Sequence, residues 1–131
     1  MGNDIKLNYM LVCDQVLIDQ KGKGSFIGVF EKIQATSTPA VHSQFSVAVS
    51  TIGSPNTSCI QKIEIINLSD NNKMIAFVEK KLEFKETGIA NFVGSFINIL
   101  FPVFGKYWIK VSVDGESITD SEKHYVLVEK I

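Results

Sequence analysis

The side chains that could perform chemistry are few and stand apart along the chain. His42 lies in a predicted loop with no Glu or Cys at ligand spacing, and His124 opens a strand beside Lys123. Neither Cys13 nor Cys59 has a neighbouring histidine, so a Cys–His nucleophile would need tertiary contacts to assemble. We therefore predict no catalytic residues, no metal and no cofactor, and a protein that is not an enzyme.

Trp108 is the side chain best suited to contact a partner. Its neighbours at i±2 are Lys106 and Lys110, and Tyr107 is expected to face the core. The indole would then lie on the outer face of a sheet between two lysines. It could pack along their stems with a cation–π gain of ~0.5–1 kcal/mol, or it could anchor a partner. Both interpretations stay open, and these three outward residues are the predicted interaction site.

Acidic residues in loops raise the question of calcium. The candidates are Asp14, Asp19, Asp70, Asp114, Glu116 and Asp120. Calcium requires six to eight converging oxygens, and no loop holds a DxD array. Asp70 and Asp114 are accounted for as turn formers. A calcium site is therefore an alternative that we do not adopt.

The elements that must position these residues are strands. Of 131 residues, 16 are Ile, 13 Val and 6 Thr, all β-branched and well suited to a pleated surface. Apolar residues recur with a period of two. The predicted strands are Ile5–Val12 (continued by Val16–Ile18), Ser25–Gln34, Phe45–Ser50, Ile60–Leu68, Met74–Phe84, Ile89–Leu100, Lys106–Val113 and His124–Lys130. About eight strands separated by turns predict an all-β fold, an antiparallel two-sheet sandwich, as one domain over residues 1–131.

Local signals refine this prediction. Asp114-Gly115 is a strong signal for a type I′ hairpin turn, and the last strand is expected to pair with the strand before that turn. Gly28 within a strand indicates a bulge or a close backbone approach. The adjacent Ile65 and Ile66 break the alternation, which indicates either a bulge or a strand buried on both sides. The segment Ala35–Gln44 is interpreted as a long loop.

The predicted sixth strand is apolar on both faces. Phe92, Phe96 and Leu100 are assigned to one face, and the opposite face is assigned Val93, Ile97, Ile99 and Phe101. Such a strand must be covered twice or meet another subunit, because an uncovered one promotes aggregation. Homo-oligomerisation through this region is a hypothesis.

Charge and cysteine content limit the partners and the cellular compartment that we expect for this protein. The chain has thirteen cationic residues, all of them lysine, and fourteen acidic residues. The charges nearly balance, so we expect no large basic surface that would attract nucleic acid. Residues 1–6 lack a leader pattern, and the apolar stretch Ile89–Phe104 is too interrupted for a spanning helix of ~20 residues. We expect a cytoplasmic protein without membrane contact. Two reduced buried thiols are favoured over a disulfide, which the sequence leaves open.

Several segments together resemble an uncharacterised family of small bacterial proteins. The segments that carry the resemblance are Tyr9–Asp14, Gly22-Lys23, Ser25–Phe30, Ile33, Pro39–His42, Phe101-Pro102, Gly105–Tyr107 and Asp114-Gly115. The resemblance implies an immunoglobulin-like or C2-like sandwich in the cytoplasm. It brings no activity, so it informs the fold and leaves the function open.

Three functions follow as hypotheses. The leading one is a non-catalytic module that binds a protein partner through a sheet edge or the Trp108 face. The second is a sandwich that binds a small molecule or carbohydrate at a concave face with Trp108. The third is an enzyme whose site is assembled only by the tertiary structure.

Overall fold

The computed structural model describes residues 4–131, so the expectations drawn from residues 1–6 lie partly outside it. These residues form ten strands and no helix: β1 (Lys6–Ile18), β2 (Gly24–Val29), β3 (Lys32–Ala35), β4 (Ala40–Ile52), β5 (Ser58–Asn67), β6 (Lys73–Glu83), β7 (Ile89–Phe101), β8 (Gly105–Val113), β9 (Glu116–Ser117) and β10 (Tyr125–Lys130). No helix long and apolar enough to span a bilayer occurs among the residues described.

The strands make two sheets. One has four strands in the order β2-β1-β4-β7; the other has the order β3-β10-β8-β5-β6, with β9 added against β8. Pairing between the described strands is antiparallel except for β3 with β10, which is parallel. The all-β prediction is confirmed. The expectation of purely antiparallel pairing is wrong for this one pair.

Residues of both sheets contribute to one apolar core. The Phe101 ring of β7 meets the Tyr107 ring of β8 edge-on, with centroids 4.9 Å apart. At Gly94 of β7, a Cβ atom would lie 2.7 Å from Val78 Cγ1 of β6. The absence of a side chain at this position therefore lets β7 approach Val78 of β6 closely.

Tyr107 also holds the connection that leads into its own strand. Its hydroxyl donates to the Val103 carbonyl at 2.7 Å and accepts from the Val103 N–H at 3.2 Å. The side chain is fully buried. Burial raises the pKa of Tyr107, and the hydrogen bond to Val103 opposes that rise. These two hydrogen bonds link the short turn between β7 and β8 to a side chain of the core.

Two strand predictions need correction. The predicted strand Ser25–Gln34 is divided into β2 and β3, which belong to different sheets. The predicted loop Ala35–Gln44 is shorter, because β4 already begins at Ala40 and pairs with the end of β7. The alternation of apolar residues predicts correctly that a segment is extended. Which sheet the segment joins is decided by the strand with which it pairs.

The face assignment of β7 is correct only as far as Asn98. Phe92 and Phe96 are buried as predicted, but Phe101 is buried with them and Leu100 is exposed. Asn98 has a φ of +53°, a left-handed conformation in the middle of the strand. This residue interrupts the alternation, so the residues after it present the opposite faces.

The β1–β2 hairpin folds back over the outer face of its own sheet. Phe26 lies opposite Val16, and the Tyr9 ring is 6.0 Å from the Phe26 ring. A straight strand would separate positions 9 and 16 by about 23 Å, so β1 must bend between them. The bend coincides with Gly28, whose φ is +70° and whose missing Cβ would lie 2.5 Å from Asp14 Oδ2. The predicted close approach at Gly28 is confirmed.

The folded-back hairpin explains the small polar face of β4. Ser46, Ala48 and Ser50 point away from the core yet are buried. A cavity of about 80 Å³ lies above Ala48, with Tyr9 and Phe26 among the residues that line it. Larger side chains on this face of β4 would compete with the hairpin for the same space.

Candidate functional site

Strand β8 places the predicted interaction residues on one face. Tyr107, Ile109 and the other odd-numbered residues of the strand enter the core, as the alternation predicts. Lys106, Trp108 and Lys110 therefore point to the outer face of the larger sheet. Lys106 is exposed, and Trp108 and Lys110 are half-buried.

Neighbouring strands add three more side chains to this face. The register places Glu64 of β5 between Lys110 and Phe77 of β6, and it places Trp108 between Ile66 and Tyr125. We call this surface the lysine–aromatic face; its members are Lys62, Phe77, Lys106, Trp108, Lys110 and Tyr125. Sequence reasoning identified only the three residues of β8, because the other three come from strands whose partners a sequence does not reveal.

Each lysine of the face lies over an aromatic ring. The distances from Nζ to the ring centroid are 4.8 Å for Lys62 over Phe77 and 4.6 Å for Lys106 over Tyr125. Lys110 lies 5.4 Å from the Trp108 centroid. Each contact contributes ~0.5–1 kcal/mol at an exposed site and more when water is excluded. These contacts hold positive charge directly above flat apolar surface.

Carboxylates on the same face limit its positive charge. Glu64 is 4.0 Å from the Lys62 ammonium and lies opposite Lys110 in the register. A depression of about 260 Å³ at this end of the face includes Glu64, Glu79 and both of these lysines in its lining. The face thus combines three ammonium groups with two carboxylates and three aromatic rings.

Trp108 also has a structural role. It lies opposite Ile66, a residue that is only 5% exposed although it points to the outer side of the sheet. The indole Nε1–H is buried without a hydrogen-bond partner. Such a group costs ~1–3 kcal/mol unless an acceptor reaches it. Trp108 therefore serves both as cover for an apolar neighbour and as contact surface.

The structure brings His42 close to a carboxylate that sequence spacing did not suggest. His42 Nε2 is 3.7 Å from Asp14 Oδ1, and its ring contacts Phe30 and Phe45. The pair borders an open depression of about 410 Å³. His124, in contrast, accepts a hydrogen bond on Nδ1 from the Asp120 N–H at 2.9 Å. His124 was predicted to open the last strand, but it directly precedes β10, which begins at Tyr125.

The two cysteines are unpaired and buried, so the disulfide alternative is wrong. Desolvation raises the pKa of both Cys13 and Cys59. A raised pKa keeps a thiol protonated and unreactive at neutral pH. Among residues 4–131, no cluster of three or more His, Cys, Asp or Glu side chains is arranged to hold a metal ion.

The comparison with family models assigns the chain to a family. Residues 8–122 match the family of unknown function DUF6941. The chain belongs to this family. The resemblance found in the sequence is thereby confirmed, and membership supplies no activity. No curated protein matches the chain.

Solved structures include one similar to this DUF6941 protein over most of its length. It is the Pseudomonas fluorescens alkylpurine DNA glycosylase AlkC bound to DNA containing an abasic site analogue. The TM-score is 0.58 at 9% sequence identity, and the match covers 98% of this chain but 31% of the glycosylase. The chain therefore spans less than a third of that enzyme, and the likeness concerns the fold alone.

Proposed function

We propose that this DUF6941 protein is a non-catalytic module that binds a protein partner through the lysine–aromatic face. The observation that carries the proposal is the presence of three lysine–aromatic contacts on one sheet face. Aromatic side chains are enriched where binding energy concentrates. The partner is a segment in which carboxylates alternate with apolar side chains, because such a segment matches ammonium groups placed above rings.

The presence of lysine and the absence of arginine support a partner that carries carboxylates. The chain contains no arginine, so it has no planar fork for two-point recognition of a phosphate. A lysine ammonium acts as a point charge and accepts a carboxylate from many directions. Lys106 and Lys110 flank Trp108 and would contact carboxylates on either side of an apolar anchor.

We further propose that the two sheets stack as an immunoglobulin-like sandwich in a cytoplasmic protein. The Tyr107–Val103 hydrogen bonds support the first part, because immunoglobulin-like domains use a buried tyrosine to bond the backbone a few residues upstream. The edge-on contact between Phe101 and Tyr107 supports stacking of the sheets. The unpaired cysteines support a reducing compartment.

Peptide selection followed by fluorescence titration tests the binding proposal. A displayed library of random peptides is selected against the full chain, and Trp108, the single tryptophan, reports binding through its emission. We expect the selected peptides to be enriched in Asp and Glu next to apolar residues. We expect the variant K106Q/K110Q to bind them several-fold more weakly, because it loses two exposed ion pairs with peptide carboxylates of ~0.2–1 kcal/mol each.

The matched control is K21Q/K23Q, which removes the same charge from the turn between β1 and β2. It should bind the selected peptides as the original chain does. Equal losses in both double variants would show a general charge effect and contradict the proposal, as would peptides without acidic enrichment. The indole is tested with W108F and not with alanine, because alanine would uncover Ile66. This variant lacks the only tryptophan, so its peptide binding is measured by calorimetry and should be weaker than that of the original chain.

A further inference from the structure

Strand β7 leaves one edge of the smaller sheet open. Among the described strands its only partner in the sheet is β4, and it spans thirteen residues from Ile89 to Phe101. This stretch contains no charged residue and no proline. On its outer side Val93 is 38% exposed and Ile97 is 67% exposed. A long, uncharged edge strand of this kind is a template for pairing with another strand.

The other edge strands carry features that hinder pairing. β6 contains several charged residues, namely Lys73, Glu79, Lys80, Lys81 and Glu83. β3 has four residues, one of them Lys32. β2 has six residues, and Gly28 within it takes a positive φ. Short length, charge and irregular backbone are the usual means of protecting an edge. Among these described edges, β7 is the one that is both long and uncharged; its one irregular residue is Asn98, and the strand keeps its register with β4 on both sides of it.

We infer that β7 pairs with the β7 strand of a second copy of this chain, antiparallel, about a two-fold axis at Ser95. An uncharged edge is best matched by a strand that is uncharged along its whole length, and the chain itself supplies one. Ser95 is the midpoint of Ile89–Phe101, so this register gives full overlap. It sets Val93 of one copy opposite Ile97 of the other, twice, so that these exposed apolar side chains contact each other across the two strands.

Charge substitutions test this pairing by analytical ultracentrifugation of the full chain. The original chain is expected to sediment as a dimer. V93K and I97E each place a charge opposite an apolar residue and should give monomers. The double variant V93K/I97E sets opposite charges against each other at both positions and should restore the dimer. I60E is the control, because Ile60 is exposed on an inner strand of the other sheet; it should remain dimeric.

Cysteine cross-linking tests the register. With the axis at Ser95, S95C meets its own copy and should form a cross-linked dimer under mild oxidation. N91C lies on the same outer face but about 27 Å from its copy in this register, and it should stay uncross-linked. A monomer at every concentration overturns the inference. Cross-linking of N91C with none of S95C overturns the register, as does failure of the double variant to restore the dimer.

Peptide binding by the lysine–aromatic face and dimerisation through β7 can be tested independently of each other. Loss of dimerisation in I97E leaves the lysine–aromatic face intact on the other sheet. Peptide binding measured by Trp108 emission should therefore be unchanged in I97E. An effect of I97E on peptide binding would contradict the assignment of the two surfaces to different interactions.

Discussion

Removing one oxygen atom from the core should destabilise the protein measurably. In Y107F the ring keeps its edge-on contact with Phe101, but the hydroxyl bonded to Val103 is lost. The Val103 carbonyl and N–H then lose their partner in a site where Tyr107 is fully buried. The substitution therefore isolates the two hydrogen bonds from the packing of the ring.

The magnitude follows from those two bonds. Each intramolecular hydrogen bond contributes ~0.5–1.5 kcal/mol net, and a buried group left unpaired costs ~1–3 kcal/mol. We expect Y107F to lower the free energy of unfolding by about 2 kcal/mol. Urea unfolding followed by Trp108 fluorescence measures this difference.

Y9F is the matched control, because Tyr9 is partly exposed and its ring contact with Phe26 survives the change. We expect it to change stability by less than about 0.5 kcal/mol, as for other surface substitutions. Equal effects of Y107F and Y9F would refute the reasoning, since the hydrogen bonds between Tyr107 and Val103 would then contribute nothing to the free energy of unfolding.

The same prediction has a pH dependence. Burial raises the pKa of Tyr107 above its ordinary value of 10.0. The folded state therefore holds this proton more tightly than the unfolded state, and the contribution is complete below pH 10 and falls as pH rises through the folded pKa. The stability gap between the original chain and Y107F should accordingly narrow above pH 10. A gap that widens there would contradict the assignment of the shift to burial.

Three further predictions concern the backbone and one ion pair. G28A should lower stability by ~1–2 kcal/mol because its φ is +70°, whereas G24A, with open space around it, should have little effect in the same urea assay. G94A should cost ~1–3 kcal/mol in thermal unfolding by overpacking between the sheets; an unchanged midpoint would contradict the close approach. Hydrogen bonds from Lys32 and Gln34 lower the pKa of Glu129 below 4.5, so its contribution is present above that pH and lost as pH falls through the folded pKa. An NMR titration should show the Glu129 pKa below 4.5 and its return toward that value in K32A.

The features that sequence reasoning obtained correctly are local ones. The alternation in β8, the Asp114-Gly115 turn with both φ angles positive and the bulge at Ile65 and Ile66 all appear in the structure. The pairing of the last strand with β8 also appears. Each depends on the backbone preference of a few adjacent residues, or on the short distance between consecutive strands.

The features that were missed depend on partners far along the chain. The separation of β2 from β3 follows from the pairing of β3 with β10, about 95 positions away. The contact between His42 and Asp14 arises because β1 and β4 are neighbours. The phase change at Asn98 is a single backbone conformation that the identity of the residue permits but does not require.

The candidate site shows the same division. The sequence by itself determined that Trp108 would stand between two lysines on the outer face, because a strand alternates its side chains. Only the tertiary structure decided that Lys62, Phe77 and Tyr125 would join them, since they reach this face through the pairing of β6, β5, β8 and β10. Alternation is fixed by the geometry of one strand, whereas lateral neighbours are fixed by which strands lower the free energy most when paired. That choice depends on the burial of the whole core.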